Sequence, residues 1–379
     1  MIYLDNAATS FPKPPETIRL LNDFVNNVGG NPGRSGHTLS LEAARIIFDT
    51  REKLTDFIGM KDSERLVFTQ NGTEALNLAI LGLLKENDHV VTTSMEHNSV
   101  MRPLEFLRLH RGVSYTVVPC SAEGLLDPGE LAKAIKKDTK AVIINHGSNV
   151  TGTLQPIELV KDMAGDALFI VDACQTIGSV PLDMEKAGID ILCFSCHKSL
   201  FSIQGVGAAY VRKGIDLTPL KFGGTGSKSE SIDHPAFLPD RYESGTPNTP
   251  GIASLLGGLT FIGNEGIEKI AARKDTIREL LVKGLRDIDG VAVYGHETLR
   301  PRSCLAVVSF NIKGKLASET GYELNKRSIY TRVGLHCCPA AHQAIGTFPQ
   351  GTVRAAPGYF TEEDDVRSFL EAVREIAER

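Results

Sequence analysis

Leu168-Phe169-Ile170-Val171-Asp172-Ala173-Cys174-Gln175 and, some two dozen positions on, Ile191-Leu192-Cys193-Phe194-Ser195-Cys196-His197-Lys198 are the stretches on which the reading of this chain turns. Each begins as a short, unbroken apolar run and then breaks into polar and titratable residues. A strand that is apolar on both faces belongs to a sheet covered by helices on both sides. The same alternation continues outward. Leu66-Val67-Phe68-Thr69 reads as a strand, and Thr73 to Leu84 has apolar residues at helical spacing. Val90-Val91 is a strand and Val100 to His110 a helix. Tyr115 to Val118 and Ala141 to Asn145 are strands separated by a helix near Pro128 to Lys136, and Gly207 to Val211 is a last strand. This repeated βα order predicts an α/β sandwich on a mostly parallel sheet. After about Pro250 the pattern changes. Gly251 to Asp287 is mostly helical in pattern, Leu305 to Phe310 is a strand candidate, and Glu362 to Arg379 is an amphipathic terminal helix, which together predict a smaller α+β unit. The glycine-rich run Phe222 to Ser229 reads as a loop, and no repeat is visible.

The 379 residues are 42% hydrophobic and 23% charged, as in an ordinary globular protein. A formal net charge of −5 gives no electrostatic case for nucleic acid or an anionic membrane surface. No apolar run approaches the roughly 20 residues that span a bilayer, and Met1 to Asn6 does not have the form of a signal peptide. The seven cysteines (Cys120, Cys174, Cys193, Cys196, Cys304, Cys337 and Cys338) are odd in number in a large chain, so they read as reduced thiols of a cytoplasmic protein.

The chemistry lies where the strands end. A lysine after a serine and a histidine, with an aspartate about two dozen positions upstream, suggests a pyridoxal 5′-phosphate (PLP) site. The amine of Lys198 can condense with the cofactor aldehyde, and the Asp172 carboxylate can keep a pyridine nitrogen protonated. Asn71-Gly72-Thr73-Glu74, between a strand and a helix, can offer backbone N–H groups and a hydroxyl to a phosphate; equally, Thr73 can be an ordinary helix cap. His97 in Glu96-His97-Asn98-Ser99 can stack on a cofactor ring or be satisfied by local hydrogen bonds. Gln175, three residues past Asp172, can reach a phenolic oxygen.

Taken in order along the chain, these motifs resemble the class V aminotransferase-like family of PLP enzymes, and most nearly its cysteine desulfurases. The resemblance runs from Tyr3-Leu4-Asp5-Asn6-Ala7-Ala8-Thr9 through Gly72-Thr73-Glu74, Glu96-His97-Asn98, Asn149-Val150-Thr151-Gly152, Val171 to Gln175 and Ser195 to Lys198. It continues to Glu243-Ser244-Gly245-Thr246-Pro247-Asn248, Arg332 to Cys337 and Val353-Arg354. It implies the fold type I architecture of PLP-dependent transferases, with a mostly parallel seven-stranded sheet between helices in a large domain (16–255). A smaller α+β domain would be formed by 1–15 with 256–379. By the same resemblance Lys198 holds PLP and later moves the α-proton, and Asp172 pairs with the pyridinium. His97 stacks on the ring and serves in proton transfer, and Gln175 bonds the phenolic oxygen. Gly72, Thr73, Ser195 and His197 hold the phosphate, and Thr246 reaches the phosphate of a neighbouring subunit in a homodimer with shared active sites. Arg354 grips the substrate carboxylate through its bidentate fork, with Asn149 at the substrate end.

The resemblance makes Cys337 the nucleophile that attacks the sulfur of L-cysteine, leaving alanine and a protein persulfide for an acceptor protein. Such a thiol must be accessible and substantially ionised, and Arg332 and His336 are the sequence neighbours that can favour the thiolate. The short separation of Cys337 from Arg354 resembles the group with a compact catalytic loop, group II. Cys338 and Ser202 depart from the family pattern. A Cys337–Cys338 disulfide, a sulfur relay through Cys338 and a metal set of His336, Cys337, Cys338 and His342 are further options, though no metal is expected from the spacing. Selenocysteine or cysteine sulfinate as substrate, an aminotransferase or epimerase, and a non-catalytic protein of the same fold are the competing readings.

Overall fold

A computed structural model of the chain describes residues 1–33, 35–295 and 302–379. The chain opens with β1 (Ile2–Tyr3), α1 (Pro15–Asp23), a π-helical turn at Phe24–Val28, and α2 (Thr38–Phe57). An alternating region follows: β2 (Leu66–Thr69), α3 (Gly72–Leu83), β3 (His89–Thr93), α4 (Asn98–Arg111), β4 (Ser114–Val118), α5 (Pro128–Ala134), β5 (Thr139–Asn145), α6 (Ile157–Ala164), β6 (Leu168–Asp172), β7 (Ile191–Ser195) and β8 (Gly207–Val211). The last part contains α7 (Thr249–Glu265), α8 (Ile267–Arg286), β9 (Val291–Tyr294), β10 (Val308–Ile312), α9 (Ala317–Lys326), β11 (Ile329–Tyr330), β12 (Arg332–Gly334), α10 (Pro339–Ala344), β13 (Thr352–Ala355) and α11 (Glu363–Glu378). No helix among the described residues is long and apolar enough to cross a membrane.

The large sheet has seven strands in the order β2-β8-β7-β6-β5-β3-β4. β8 runs antiparallel to both of its neighbours, and the remaining pairings are parallel. The double-sided apolar strands follow from this. Phe169 and Val171 of β6 enter one core with Val142, Ile144, Leu192 and Phe194, whereas Ile170 enters the opposite core with Ala141, Ile143 and Ile191. Each such side chain is fully buried, and each Val, Leu, Ile or Phe among them stabilises the fold by about 1.5–3 kcal/mol. β2, β3, β5, β6 and β7 all end at the same edge of the sheet, which is where open α/β sheets bind ligands.

A second sheet, β12-β13-β10-β9, is antiparallel throughout. Helices α8, α9 and α11 pack against it, with Leu281, Leu324, Phe310 and Phe369 at the centre of its core. β1 pairs with β11, so the first residues of the chain join this second unit. The strand expected at Leu305 to Phe310 lies at Val308–Ile312. Residues 305–307 are diverted because Leu305 N–H donates to the Gly152 carbonyl at 2.7 Å, and Leu305 and Val307 pack against Ala7 and Ala356. Helix α7 buries Leu255, Leu259, Phe261 and Ile262 in the large core, which also takes in Ile270 of α8.

Candidate active site

Loops leaving β2, β3, β5, β6 and β7 surround one cavity of ≈ 490 Å³, open mouth included. Its walls contain Gly72, Thr73, His97, Asn149, Asp172, Gln175, Ser195, His197 and Lys198. Nine of the residues singled out in the sequence thus converge from five separate loops.

The floor is built by α3. Asn71, not Thr73, caps this helix: its Oδ1 accepts the Glu74 N–H at 2.9 Å. That leaves the Thr73 hydroxyl free of capping, and it bonds the Ser99 hydroxyl at 2.8 Å. Gly72 has to be glycine because a Cβ there would collide with the Cys174 sulfur and approach the Ser195 N–H at 3.3 Å. Across the cavity, the Ser195 hydroxyl and His197 Nδ1 are buried without a hydrogen-bond partner. Orphaned polar atoms are costly unless a ligand satisfies them. Together with the α3 N-terminus they form a cradle suited to an anion.

His97 caps α4, its Nδ1 accepting from the Ser99 N–H at 3.1 Å. The same ring lines the cavity, so local satisfaction and a role in the site coexist. With Nδ1 accepting, the proton resides on Nε2. Burial pulls its pKa down to about 4, reinforced by the positive charges of Lys198, Arg332 and Arg102 against the opposing pull of Asp172, so the imidazole is neutral at pH 7. Asp172 is buried at the end of β6, with Oδ1 accepting the Cys174 N–H at 2.9 Å. The Gln175 amide donates to the Ala7 carbonyl at 3.0 Å.

Cys337 stands outside this ring of residues. It is exposed, in the turn between β12 and α10. His336 and Cys337 both have left-handed backbone, φ 49° and 61°, a conformation costing about 1–3 kcal/mol per non-glycine residue and often found at functional sites. The surroundings enforce it. Asn98 N–H donates to the Cys337 carbonyl at 2.9 Å, and the Asn149 amide donates to the His336 carbonyl at 2.7 Å. Arg332 places Nη2 at 3.6 Å from the Cys337 sulfur. His336 does not help the thiolate as its sequence position suggested. It is buried against Thr352, and burial followed by the Arg354 charge pushes its pKa down to about 2, so it has no positive charge to offer.

Cys338 and Cys337 are both free thiols. Cys338 is fully buried, its single S–H facing Asn149 Oδ1 at 3.0 Å and the Glu96 carbonyl at 3.4 Å, and burial raises its pKa well above the usual thiol range. It anchors the turn. The His336 and His342 rings lie 5.4 Å apart between centroids at a tilt of 45°, but no metal-holding group of three or more His, Cys, Asp or Glu exists among the described residues.

Arg354 and Thr246 lie outside the cavity walls. Arg354 is 1% exposed, its Nη2 paired with Asp5 Oδ1 at 2.8 Å and its Nη1 donating to the Asn149 carbonyl at 3.0 Å; Nε has no partner. Asn149 therefore lines the cavity while tying Arg354 to the Cys337 turn. Thr246 lies in a different cleft with Arg51 and Glu243. The sequence reading missed Glu96, Lys13 and Asp5 as individual residues. Glu96 is wholly buried, and burial lifts its pKa to about 8 despite hydrogen bonds from Thr93 and the Asn145 N–H.

The family model described as Aminotransferase class-V matches residues 2–369. A probable cysteine desulfurase of Methanothermobacter thermautotrophicus is 32% identical over 99% of this chain and 94% of its own. A cysteine desulfurase IscS of Methanosarcina thermophila is 31% identical over 100% and 92%. The apo structure of a cysteine desulfurase from Thermococcus onnurineus superposes with a TM-score of 0.93 at 32% identity, covering 100% of this chain and 94% of the other.

Proposed function

We propose, from the premise that the chain belongs to the class-V aminotransferase family, that it is a PLP-dependent cysteine desulfurase. It would convert L-cysteine to L-alanine and leave the sulfur as a persulfide on Cys337. The observation that carries this reading is an exposed thiol held in a left-handed turn beside Arg332, a turn tied through Asn149 to the cavity that Lys198 lines. An aminotransferase or epimerase needs the cavity but no such thiol.

The residues fit the cofactor. The orphaned Ser195 hydroxyl and His197 Nδ1, the Gly72 gap and the Thr73 hydroxyl suit a phosphate, and Asp172 offers a carboxylate for a pyridinium. Lys198 would hold the cofactor's aldehyde carbon, and the neutral His97 would face its ring. When bound, PLP supplies an electron sink for charge at the substrate carbon. Lys198 removes and returns the α-proton. Arg354 holds the substrate carboxylate once it exchanges Asp5 for it. The Cys337 thiolate attacks the substrate sulfur and forms the S–S bond. The C–S bond breaks with its electron pair going to carbon, and a proton delivered there completes alanine.

The short, structured turn supports the group II reading. A homodimer in which Thr246 completes the partner's phosphate site, an acceptor protein that collects the sulfur, and a cytoplasmic location belong to the same proposal. So does a two-lobed division, in which the large-core packing of Leu259, Phe261, Ile262 and Ile270 favours a boundary beyond residue 255, within α8. The test is anaerobic alanine formation from L-cysteine with a reductant, comparing PLP-loaded protein with Cys337→Ser. Loss of thiol-dependent alanine in the variant is expected. Equal production by both proteins would remove Cys337 from the mechanism, and none from either would redirect the search to selenocysteine, cysteine sulfinate or a transamination substrate.

A further inference from the structure

The carbonyl of His197, the residue before Lys198, is where donors of the N-terminal segment converge. It accepts from the Ser10 N–H at 3.2 Å, the Thr9 hydroxyl at 3.1 Å, the Ser10 hydroxyl at 3.2 Å and Lys13 Nζ at 2.9 Å. Lys13 also donates to the Ser10 hydroxyl at 2.7 Å. On the other side of the lysine, Lys274 of α8 donates to the Ser179 hydroxyl at 2.6 Å and to the Ser199 hydroxyl at 3.4 Å, and these two hydroxyls are 2.6 Å apart. The three-residue segment His197-Lys198-Ser199 is thus bracketed by two ammonium groups from outside the βα region.

The hydrogen bonds of both ammonium groups go to hydroxyl and carbonyl oxygens. Burial pulls both lysines down to about 8, opposed in Lys274 by the neighbouring Asp275 carboxylate, so both remain largely protonated at pH 7. A buried ammonium such as that of Lys13 is an expensive way to tie a loop, since a hydroxyl or amide would serve for hydrogen bonding alone. A like charge nearby disfavours protonation of a cationic group.

We propose that Lys13, with Lys274 as its counterpart, is a positioning residue that fixes the peptide unit from which Lys198 projects and supplies positive charge there, so that the Lys198–cofactor linkage gives up its proton more readily. This rests on the reading that Lys198 holds the cofactor. The charged and titratable groups facing the segment are Lys13 from the N-terminal segment, Lys274 from α8 with the neighbouring Asp275, which partly offsets its charge, Asp172 at the end of β6, His97 ahead of α4, and His197 itself. Burial, with Lys198 and Lys13 adding to it, pulls His197 down to about 4, which leaves the two lysines as the cations to vary.

The test uses the full chain loaded with PLP. Borohydride reduction and peptide mapping ask first whether Lys198 carries the cofactor; no label there overturns the functional reading and this inference with it. With the label in place, the visible absorbance of the linkage is titrated against pH in the wild type, Lys13→Met, Lys13→Arg and Lys274→Met. The midpoint is expected to rise by about one pH unit in Lys13→Met, to return to the wild-type value in Lys13→Arg, and to rise by less in Lys274→Met. PLP dissociation is expected to be roughly tenfold faster in Lys13→Met. An unchanged midpoint in a Lys13→Met protein that melts as a folded domain overturns the inference and leaves Lys13 as a simple tie. Should that variant not fold, Lys274→Met decides: a raised midpoint supports the inference and an unchanged one overturns it.

Discussion

Cys338 buries its thiol against Asn149 and Glu96, while Cys337, one residue earlier, stands at the surface. Cys338→Ala should therefore lower stability by about 1–2 kcal/mol through lost packing and hydrogen bonding. It should keep alanine formation within several-fold of wild type, measured beside Cys337→Ser; a loss as complete as that of Cys337→Ser would make Cys338 a chemical participant. Glu96 gives a prediction in pH. Its folded pKa of about 8 lies above the ordinary value of 4.5, so the folded state holds the proton where the unfolded chain has released it. Stability from this group is full below pH 4.5 and falls as pH rises towards 8. Glu96→Gln copies the protonated acid, keeping an acceptor for Thr93 and the Asn145 N–H. It should flatten the decline, with a gain over wild type of about 3 kcal/mol by pH 8, read from urea midpoints at pH 5.5 and pH 8. Parallel pH dependences would show that Glu96 does not titrate in this range. At this scale the motifs picked out residues that line one cavity, as at Gly72, Asp172 and Lys198. The sequence was silent on Glu96 and Lys13, because their roles come from burial and from a contact between residues 13 and 197, neither of which has a local pattern.

Among the elements, α7 and α2 hold the catalytic edge from behind. The Cα of Gly258 in α7 packs so closely on the Leu200 carbonyl that a Cβ would overlap it. Gly258→Ala is favoured by helix propensity yet should cost about 1–3 kcal/mol by overpacking and should loosen PLP by displacing the turn after Lys198; a more stable variant would contradict that geometry. In α2, Arg51 forms a two-pronged ion pair with Glu243 at 2.6 and 2.9 Å and lies over Phe68 at 4.7 Å. Arg51→Met strands a carboxylate whose side chain is only 19% exposed and should cost about 3–5 kcal/mol in urea unfolding; a change below 1 kcal/mol would mean that Glu243 finds water instead. The βα elements were legible because double-sided burial writes itself as apolar runs. The strand at Val308–Ile312 was displaced from its expected start because residues 305–307 are drawn to Gly152, Ala7 and Ala356, partners remote in sequence.

At the scale of the whole molecule, the cleft containing Thr246 is separate from the cavity of the same chain. The proposed dimer would have a mass twice the 41.0 kDa of the chain, and light scattering on the purified protein checks it; a monomer with full activity would remove Thr246 from the site. This level was the least legible of all, since surface complementarity has no period and no motif. One consequence follows from the turn that carries Cys337. It is closed by β12 at Gly334 and by α10 at Pro339, and it is pinned by Asn98, Asn149 and Cys338. So short a tether lets the sulfur travel only a few residue lengths of about 3.5 Å each. If Cys337 takes the sulfur as proposed, the cargo would leave at a fixed berth and its export would be a bimolecular encounter: unloading would speed up with the concentration of whatever comes to collect it, and the loaded chain would stall when nothing does.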